Sequence, residues 1–293
     1  MRFALIALRP TPATDALAGV TVDGARFEVL TPEQALRVLT SGDVAVGRLD
    51  VLPTLDGIDD GLWALGALAA RGVVVLNEPA ALLAAHDKLL TARLLRRHDI
   101  PHPLTWHVRP GRPTPVRRRA VVLKPRFGSW GLEVHRCDDS AALESAVERV
   151  RGTGWYQRHG ALVQELVPPQ GYDLRVLVAG GRAVGAVYRV AAPVEWRTNV
   201  ALGGVRRPVE EVPREAGALA LEAAQAIGGS LVGVDLLPDG RGGWVVAELN
   251  GAVEFSSDYA PWQDVFAETA SALVREARER RGELAVQAEL ADA

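Results

Sequence analysis

Apolar runs alternate with helically spaced apolar positions along the first third of the chain. Runs typical of strands occupy residues 3–8, 27–30, 44–46 and 73–76, and spacings typical of helices occupy residues 32–39 and 62–70. This alternation predicts a small open α/β unit built from βαβ steps. Asn77, Glu78 and Pro79 interrupt the pattern, and helical spacing continues over residues 80–85 and 88–98 until two prolines, at 101 and 103, end it.

Strand-like runs dominate the remainder of the chain. A strand at residues 121–124, a glycine-bearing turn, a strand at 134–136 and a helix at 141–151 form a compact central insert. The next unit has strands at 162–167, 173–179 and 183–189, a helix at 214–227, a hairpin between 232 and 250 and a last helix at 263–280. We expect an N-terminal domain at 1–85, a central subdomain at 86–160, a C-terminal subdomain at 161–282 and a tail at 283–293.

Composition restricts the functional class. The 293 residues are 48% hydrophobic, which is ample for two or three packed subdomains, and the net charge of −3 gives no electrostatic footprint for nucleic acid. The single cysteine, Cys137, excludes an internal disulfide and any site built from several cysteines. The apolar N-terminal run stops at Arg9 and is too short to span a membrane, so we expect a cytoplasmic protein without a membrane partner.

Three side chains with oxygen donors lie in the predicted hairpin. Glu248 and Asn250 are two residues apart and share a face of one strand, and Asp235 lies in the partner run. If the runs pair through the turn at residues 238–243, the three side chains converge. Oxygen donors alone are what Mg²⁺ prefers. A surface hairpin with solvated acids is the alternative, and for these three residues alone it is the simpler one.

A glycine-bearing turn follows a lysine at the end of a predicted strand. Lys124 precedes residues 128–131, Gly-Ser-Trp-Gly, whose backbone amides are little shielded and can point at phosphate oxygens. Lys88, near the start of a helix, offers a second cation. The turn matches neither the P-loop nor the dinucleotide-binding pattern, and an ordinary hairpin with an exposed lysine explains it at least as well.

Charged residues also cluster in the third unit. Asp173 and Arg175 share one face of a predicted strand, Arg189 ends the next strand, and Arg197 and Asn199 lie in a loop before two glycines. Guanidinium groups around a candidate cation site suit a polyanionic ligand, because each can bind a phosphate or carboxylate with two hydrogen bonds. Ion pairs with neighbouring glutamates are the alternative for each arginine.

Phosphoryl transfer from Mg·ATP requires the features that this chain combines: two lysines, a glycine turn, clustered arginines and an acidic hairpin. Nucleophilic catalysis has little support, because the chain has no GxSxG motif and its histidines form no metal-binding pair. The order of the motifs resembles the ATP-grasp ligases, in particular the branch of ribosomal-protein glutamate-tail ligases and lysine-biosynthesis amino-group-carrier ligases. The Gly-Ser-Trp-Gly turn and residues 250–255 are most similar to the lysine-biosynthesis type.

The resemblance implies an α/β protein of ATP-grasp fold, in which three subdomains clamp the nucleotide between the second and the third. It assigns contacts with ATP to Lys88, Lys124, Gly128, Ser129, Trp130, Gly131, Gln164, Glu165, Leu166, Val167, Asp173 and Arg175. It assigns the phosphate and acyl-phosphate side to Arg189, Arg197 and Asn199. It assigns two Mg²⁺ ions, with Mn²⁺ as a substitute, to Asp235, Glu248 and Asn250. Residues 128–131 are then a mobile lid, and residues 165–167 the hinge that reads adenine.

The implied reaction is the ATP-dependent ligation of a carboxylate to an amine through an acyl phosphate, with release of ADP and phosphate. The expected substrates are an amino acid such as glutamate or 2-aminoadipate and the C-terminal glutamate of a carrier protein or peptide. Basic residues at 117–119 and 206–207 are candidates for docking an acidic carrier, and this branch is usually dimeric or tetrameric. Leu132 and Glu133 depart from the usual lid pattern, so a small-metabolite ligase and a regulatory ATP-binding protein without turnover stay as alternatives.

Overall fold

Three sheets covered by helices organise the chain in the computed structural model, which describes residues 1–114 and 119–291, with backbone alone from residue 284 onwards. The first sheet has the order β2-β3-β1-β4-β5 and is parallel except at the β2 edge. Burial of β1 on both faces explains its continuous apolar run. The elements of this domain are β1 (Phe3–Ile6), α1 (Pro12–Gly19), β2 (Thr21–Val22), β3 (Ala25–Leu30), α2 (Pro32–Val38), β4 (Val44–Gly47), α3 (Leu62–Ala70) and β5 (Val74–Leu76).

The first two helices begin at strong local signals. Thr11 and Thr31 are N-caps whose side chains accept hydrogen bonds from the backbone amides of Thr14 and Gln34, and each helix has a proline in its first turn. The apolar pattern did not predict α1, because this helix has eight residues and buries only three of them. For α1, the N-cap and the proline in the first turn mark the start of the helix, whereas the spacing of apolar residues does not.

The second sheet is antiparallel and has the order β6-β9-β7-β8. It contains β6 (Thr105–Val108), β7 (Val121–Pro125), β8 (His135–Cys137) and β9 (Ala161–Glu165), and it carries α6 (Ser140–Val150) and α7 (Gly154–His159). Because β9 lies between β6 and β7, a domain boundary after residue 160 separates this strand from its own sheet. The partners of β9, which are β6 and β7, both precede α6 in the sequence. No local sequence pattern shows that the chain comes back to pair with them after α6 and α7.

The third sheet is antiparallel and has the order β12-β11-β10-β13-β14. Its strands are β10 (Tyr172–Ala179), β11 (Arg182–Val190), β12 (Val205–Pro208), β13 (Leu231–Pro238) and β14 (Trp244–Asn250). Three helices share a core with one face of this sheet: α4 (Pro79–His86), α5 (Lys88–Arg97) and α8 (Arg214–Ile227). Leu95 of α5 is buried in that core, so α5 packs with the third sheet although the sequence placed it in the central subdomain.

The last helix, α9 (Val265–Ala291), joins the first and third sheets. It buries Ala270, Leu273 and Val274 in one core with apolar residues of both sheets. The helix was expected to end at residue 280, yet it continues to Ala291, so the predicted tail is helical as far as the structure describes it. In the described part of the chain, no helix combines the length and the apolar character needed to cross a membrane.

Candidate active site

A cleft separates the second sheet from the third. Its lining includes these residues of the predicted site: Lys88, Lys124, Gly128, Ser129, Gly131, Gln164, Glu165, Leu166, Val167, Asp173, Arg189, Arg197, Asn199, Asp235 and Glu248. The other three predicted residues, Trp130, Arg175 and Asn250, line an adjoining second cavity. The cleft therefore collects motifs from most of the chain, and Trp130, Arg175 and Asn250 lie beside it rather than in it.

Two lysines enter the cleft. Lys124 is only 8% exposed, and its Nζ donates to Gln164 Oε1 at 2.8 Å. Lys88 Nζ donates to the carbonyl of Gly128 at 2.5 Å and lies 3.5 Å from Glu248 Oε2. Burial lowers the pKa of Lys124 to about 8, and the charge of Lys88 acts in the same direction, while Glu248 opposes both. A buried ammonium group held by a neutral amide favours an anionic ligand.

A network of carboxylates and guanidinium groups lies beneath the cleft. Asp235 is 2% exposed and accepts hydrogen bonds from Arg175, at 2.5 and 2.7 Å, and from Arg189, at 2.8 Å. Arg189 also donates to Asp173, with Nε 2.8 Å from Oδ1, and Thr198 donates to the same carboxylate at 2.5 Å. Although burial acts to raise it, the pKa of Asp235 is held well below its usual value by the two arginines. Asp235 is thus an ionised carboxylate shared by two cations.

The lid, residues 128–131, is held from the side of the third sheet by Arg197. Arg197 Nη1 donates to the carbonyl of Gly131 at 3.0 Å, and its Nε and Nη2 donate to Glu195 at 3.0 and 2.8 Å. Hydrogen bonds from Arg197 lower the pKa of Glu195 to about 2. Gly131 has a φ of +73°, and a Cβ there would lie 2.7 Å from Asn199 Oδ1, which explains the glycine. The guanidinium group expected at the phosphates is therefore engaged by Glu195 and the lid.

The hairpin of β13 and β14 brings the three predicted oxygen donors together. Asp235 pairs directly with Glu248, and Asn250 pairs with Gly233, with a register shift after Asp235. Glu248 and Asn250 share a face of β14. The amide nitrogen of Asn250 is buried without a hydrogen-bond partner, so this side chain is poised for a further contact. The set consists of two carboxylates and an amide, which suits a hard divalent cation.

A model of the RimK-like ATP-grasp domain matches residues 85–259, which is more than half of the chain. The chain belongs to the RimK-like ATP-grasp family. The matched segment includes the second and third sheets, the lid and the β13–β14 hairpin. The predicted family and fold are confirmed. The protein is accordingly a ligase that forms an amide bond between a carboxylate and an amine, and its family binds ATP.

Relatives of this RimK-like protein carry ligase names. The alpha-aminoadipate–LysW ligase LysX of Saccharolobus solfataricus is 32% identical over 197 residues, which cover 64% of this chain and 68% of the relative. A probable alpha-L-glutamate ligase of Aeromonas salmonicida is 32% identical over 222 residues, which cover 74% of this chain and 71% of the relative.

Solved structures share the fold. A RimK domain ATP-grasp protein of Sphaerobacter thermophilus has a TM-score of 0.65 at 22% identity and covers 93% of this chain and 99% of its own. The D-alanine–D-alanine ligase of Bacillus anthracis complexed with ATP has a TM-score of 0.69 at 15% identity and covers 97% of this chain and 99% of its own. At these identities the two structures show a common ATP-grasp architecture.

The second cavity of this RimK-like protein adjoins the ATP-grasp cleft. The two spaces share four lining residues, which are Ser129, Arg189, Asn199 and Glu248. Of the basic residues considered for docking a carrier, Arg206 lines the second cavity and Arg207 lines neither space. Arg117 and Arg118 lie outside the described residues. Arg119 lines neither space, so among the three of these basic residues that the structure describes, Arg206 alone lies beside the site.

Thr198 and Asp50 are among the polar residues of the site that sequence reasoning missed. Thr198 holds the Asp173 carboxylate, and its position inside the Arg-Thr-Asn motif was a usable signal. Asp50 lines the second cavity from the N-terminal domain, just after β4. Nothing in the sequence around Asp50 indicates this position, because it depends on how the first sheet packs against the third.

Two acidic residues that the sequence singled out are engaged by neighbouring side chains. Glu254, in the segment 250–255 that resembles the lysine-biosynthesis type, lines the second cavity but accepts a hydrogen bond from Thr11 at 2.7 Å and pairs with the buried Arg48 at 3.2 Å. Glu133, the departure in the lid, lies 3.1 Å from His135 and lines neither space. Leu132, the other departure from the usual lid pattern, does line the cleft, so of the two unusual residues only Glu133 lies outside the lining of both spaces.

Proposed function

We propose that the cleft binds ATP and that the second cavity receives the groups to be joined, so that the enzyme activates a carboxylate and transfers it to the amino group of an amino acid. The observation that carries the proposal is the continuity of the two spaces through Ser129, Arg189, Asn199 and Glu248. A phosphoryl group at this junction would be within reach of a carboxylate in the second cavity.

The two ends of the cleft suit the two ends of ATP. Lys88, Lys124 and the lid, residues 128–131, are proposed to hold the phosphates, because they place two ammonium groups and backbone amides on one side. The hinge, residues 165–167, is proposed to receive adenine. Apolar side chains suited to a flat ring also line the cleft, and they are Val122, Leu132, Val134, Leu237 and Ala247.

Two Mg²⁺ ions, for which Mn²⁺ could substitute, are proposed at Asp235, Glu248 and Asn250. Bound there, the cations would supply positive charge to the phosphate oxygens. Both oxygens of Asp235 accept hydrogen bonds from guanidinium groups, so cation binding requires Asp235 to give up part of these contacts. Arg175, one of these two arginines, lines the second cavity. If Asp235 gave up its hydrogen bonds with Arg175, the guanidinium group would be free to bind a substrate carboxylate.

The proposed reaction has two steps. An oxygen of the substrate carboxylate attacks the γ-phosphorus of ATP, the bond from that phosphorus to the β–γ bridging oxygen breaks, and ADP leaves. The neutral amine then attacks the acyl carbon, phosphate leaves with the oxygen that had attacked phosphorus, and the nitrogen loses a proton. Arg189 and Asn199, which line both spaces, are placed to stabilise the transferred phosphate. Closure of the lid would keep water from the acyl phosphate.

The pKa of Lys124 predicts a pH dependence of ATP binding. Its folded-state pKa of about 8 lies below the ordinary value of 10.5, so above pH 8 this amine is mostly neutral in the free protein. A bound polyanion favours the protonated amine, so binding at pH 8.5 should take up protons and weaken as the pH rises further. Titration calorimetry in two buffers of different ionisation enthalpy measures this uptake. Lys124→Met should abolish it, and an equal uptake in that variant would contradict the assignment.

The relatives narrow the substrates. The names alpha-aminoadipate–LysW ligase and alpha-L-glutamate ligase point to an acidic amino acid as the amine substrate. The first name also gives LysW, a carrier protein, as the acceptor. We therefore propose glutamate or 2-aminoadipate as the amine and the C-terminal glutamate of a carrier protein or peptide as the carboxylate. Ligation to a small metabolite is the second candidate, because Leu132, which departs from the usual lid pattern, lines the cleft. A regulatory role without turnover loses its motivation, since Glu133 lines neither space.

Product formation tests the proposed function. The enzyme is incubated with Mg·ATP, the standard L-amino acids and L-2-aminoadipate, and peptides that end in glutamate, and ADP is measured together with acceptor mass. The expected result is ADP release that needs both substrates, with a mass gain equal to one amino acid less water. Lys124→Met should lose both signals. Nucleotide binding without product from any peptide or free acid would contradict the proposal.

A further inference from the structure

The second cavity lies where the N-terminal domain meets the third sheet. Asp50 enters it from the end of β4, Trp130 from the lid and Arg206 from the edge strand β12. Trp130 has a φ of +59° and is 44% exposed, so the lid presents this ring to the cavity rather than burying it in a core. Lid, first domain and third sheet therefore all contribute to one space.

Most charged side chains that line this cavity are already paired within the protein. Arg175 and Arg189 bind Asp235, Glu248 lies beside Lys88, and Glu254 lies beside Arg48. Among the described residues, the two charged lining residues without an ion-pair partner are Asp50 and Arg206. One oxygen of Asp50 accepts a hydrogen bond from the amide of Val51 at 2.7 Å, which leaves its other oxygen for a ligand. Asp50 and Arg206 are thus one negative and one positive group outside any such ion pair, although the charge of the buried Arg48 also acts on Asp50.

We propose that Asp50 and Arg206 select the amine substrate as a free α-amino acid, with Asp50 binding its ammonium group and Arg206 a carboxylate. The inference rests on the proposed function and adds residues to it. A zwitterion supplies one charge of each sign, and this is the pair that the cavity leaves unmatched. Asp50 is half-buried, and burial raises its pKa, so an ammonium partner there gains more than it would in open solvent.

Strand geometry supports the role of Arg206 and provides its control. Arg206 is paired with Arg189 across β11 and β12, so the two side chains share a face of the sheet. Arg189 lines both the cleft and the second cavity, and a carboxylate held by Arg206 therefore lies close to the site of phosphoryl transfer. Arg207 is the next residue on the same strand and faces the opposite way, so it offers a matched arginine outside the cavity.

The arrangement makes the N-terminal domain part of the substrate site. The bound amino acid would bridge Asp50 of the first domain and Arg206 of the third sheet, with Trp130 of the lid covering it. Neither domain alone carries both charges. Selection of the amine would then depend on lid closure, because Trp130 and the phosphate-binding glycines belong to the same four-residue segment.

Binding measurements on the full chain test this inference. The affinities of the standard L-amino acids and L-2-aminoadipate are measured by calorimetry, with and without Mg·AMP-PNP, for the wild type and for Asp50→Asn and Arg206→Gln. At least one amino acid should bind the wild type and lose affinity about tenfold or more in Asp50→Asn and about fivefold in Arg206→Gln. Its analogue without the amino group should be insensitive to Asp50→Asn.

Matched control variants and the binding of AMP-PNP distinguish a failure of this inference from a failure of the proposed function. Asp60→Asn and Arg207→Gln change exposed residues that line neither space, and both should bind the amino acid as the wild type does. Thermal unfolding checks that each variant is folded. The inference would be overturned if the Asp50 and Arg206 variants bound the amino acid with unchanged affinity. It would also be overturned if the wild type bound AMP-PNP but none of the amino acids. Failure of AMP-PNP to bind would instead overturn the proposed function.

Discussion

Replacing Asp235 with alanine is expected to lower the free energy of unfolding by about 3–5 kcal/mol. The side chain is 2% exposed, and it neutralises two guanidinium groups that are themselves largely buried, those of Arg175 and Arg189. Without Asp235, Arg175 loses the carboxylate to which both its Nε and Nη2 are bonded, and Arg189 keeps only Asp173. Uncompensated buried charge is much more costly than the loss of an exposed ion pair.

Chemical denaturation of the variant measures this effect. Asp60→Ala is the control, because it removes the same charge from an exposed position and should change the free energy of unfolding by no more than about 0.5 kcal/mol. Adding Arg175→Leu to Asp235→Ala should recover part of the loss, since the unpaired cation is then absent as well. A loss for Asp235→Ala as small as that of the control would show that the network is not a buried ion cluster.

Glu248→Gln is expected to reduce ADP formation by roughly 10²–10³-fold while leaving the protein folded. The carboxylate faces the cleft and the second cavity, and its one ion pair with the side chains that the structure describes is the 3.5 Å contact with Lys88. An amide of the same shape keeps the packing but removes half of the carboxylate charge available to the proposed metal site. Several kcal/mol of transition-state stabilisation by a bound cation corresponds to a rate change of about this size.

The measurement is the rate of ADP release at increasing Mg²⁺ concentration. If Glu248 is a metal ligand, the variant should need more Mg²⁺ to reach its maximal rate as well as having a lower maximum. Glu222→Gln, an exposed glutamate on α8, is the matched control and should behave as the wild type. Undiminished ADP release by Glu248→Gln at every Mg²⁺ concentration would remove this residue from the proposed metal site.

The hairpin shows how much of the site was predictable. The two-residue spacing of Glu248 and Asn250 predicts a shared face, and the pairing of β13 with β14 places Asp235 directly opposite Glu248. The hydrogen bonds that Asp235 accepts from Arg175 and Arg189 were not predicted. Those arginines lie on β10 and β11, and their approach depends on the order of strands in the sheet, which alternation of side chains along a single strand does not specify.

Arg197 illustrates a residue whose position was predicted and whose contacts were not. The motif placed it near the phosphates, and it does line the cleft. Its donors, however, are used by Glu195 two residues earlier and by the carbonyl of Gly131 in the lid. The glutamate was the alternative partner that the sequence itself offered, and the lid contact arises only because the second sheet lies over the third.

The sequence by itself determined the family, the alternation of helices and strands and most of the predicted residues that line the cleft, because the spacing of apolar residues and the motifs with their order can be read directly from the chain. The 214–227 helix and the strands of the acidic hairpin follow from such local patterns. Tertiary structure decided the sheet to which β9 belongs, the sharing of Asp235 between two arginines and the entry of Asp50 into the second cavity. Each of these depends on contacts between segments far apart in the chain, whose free energy comes from packing and charge pairing rather than from neighbouring residues.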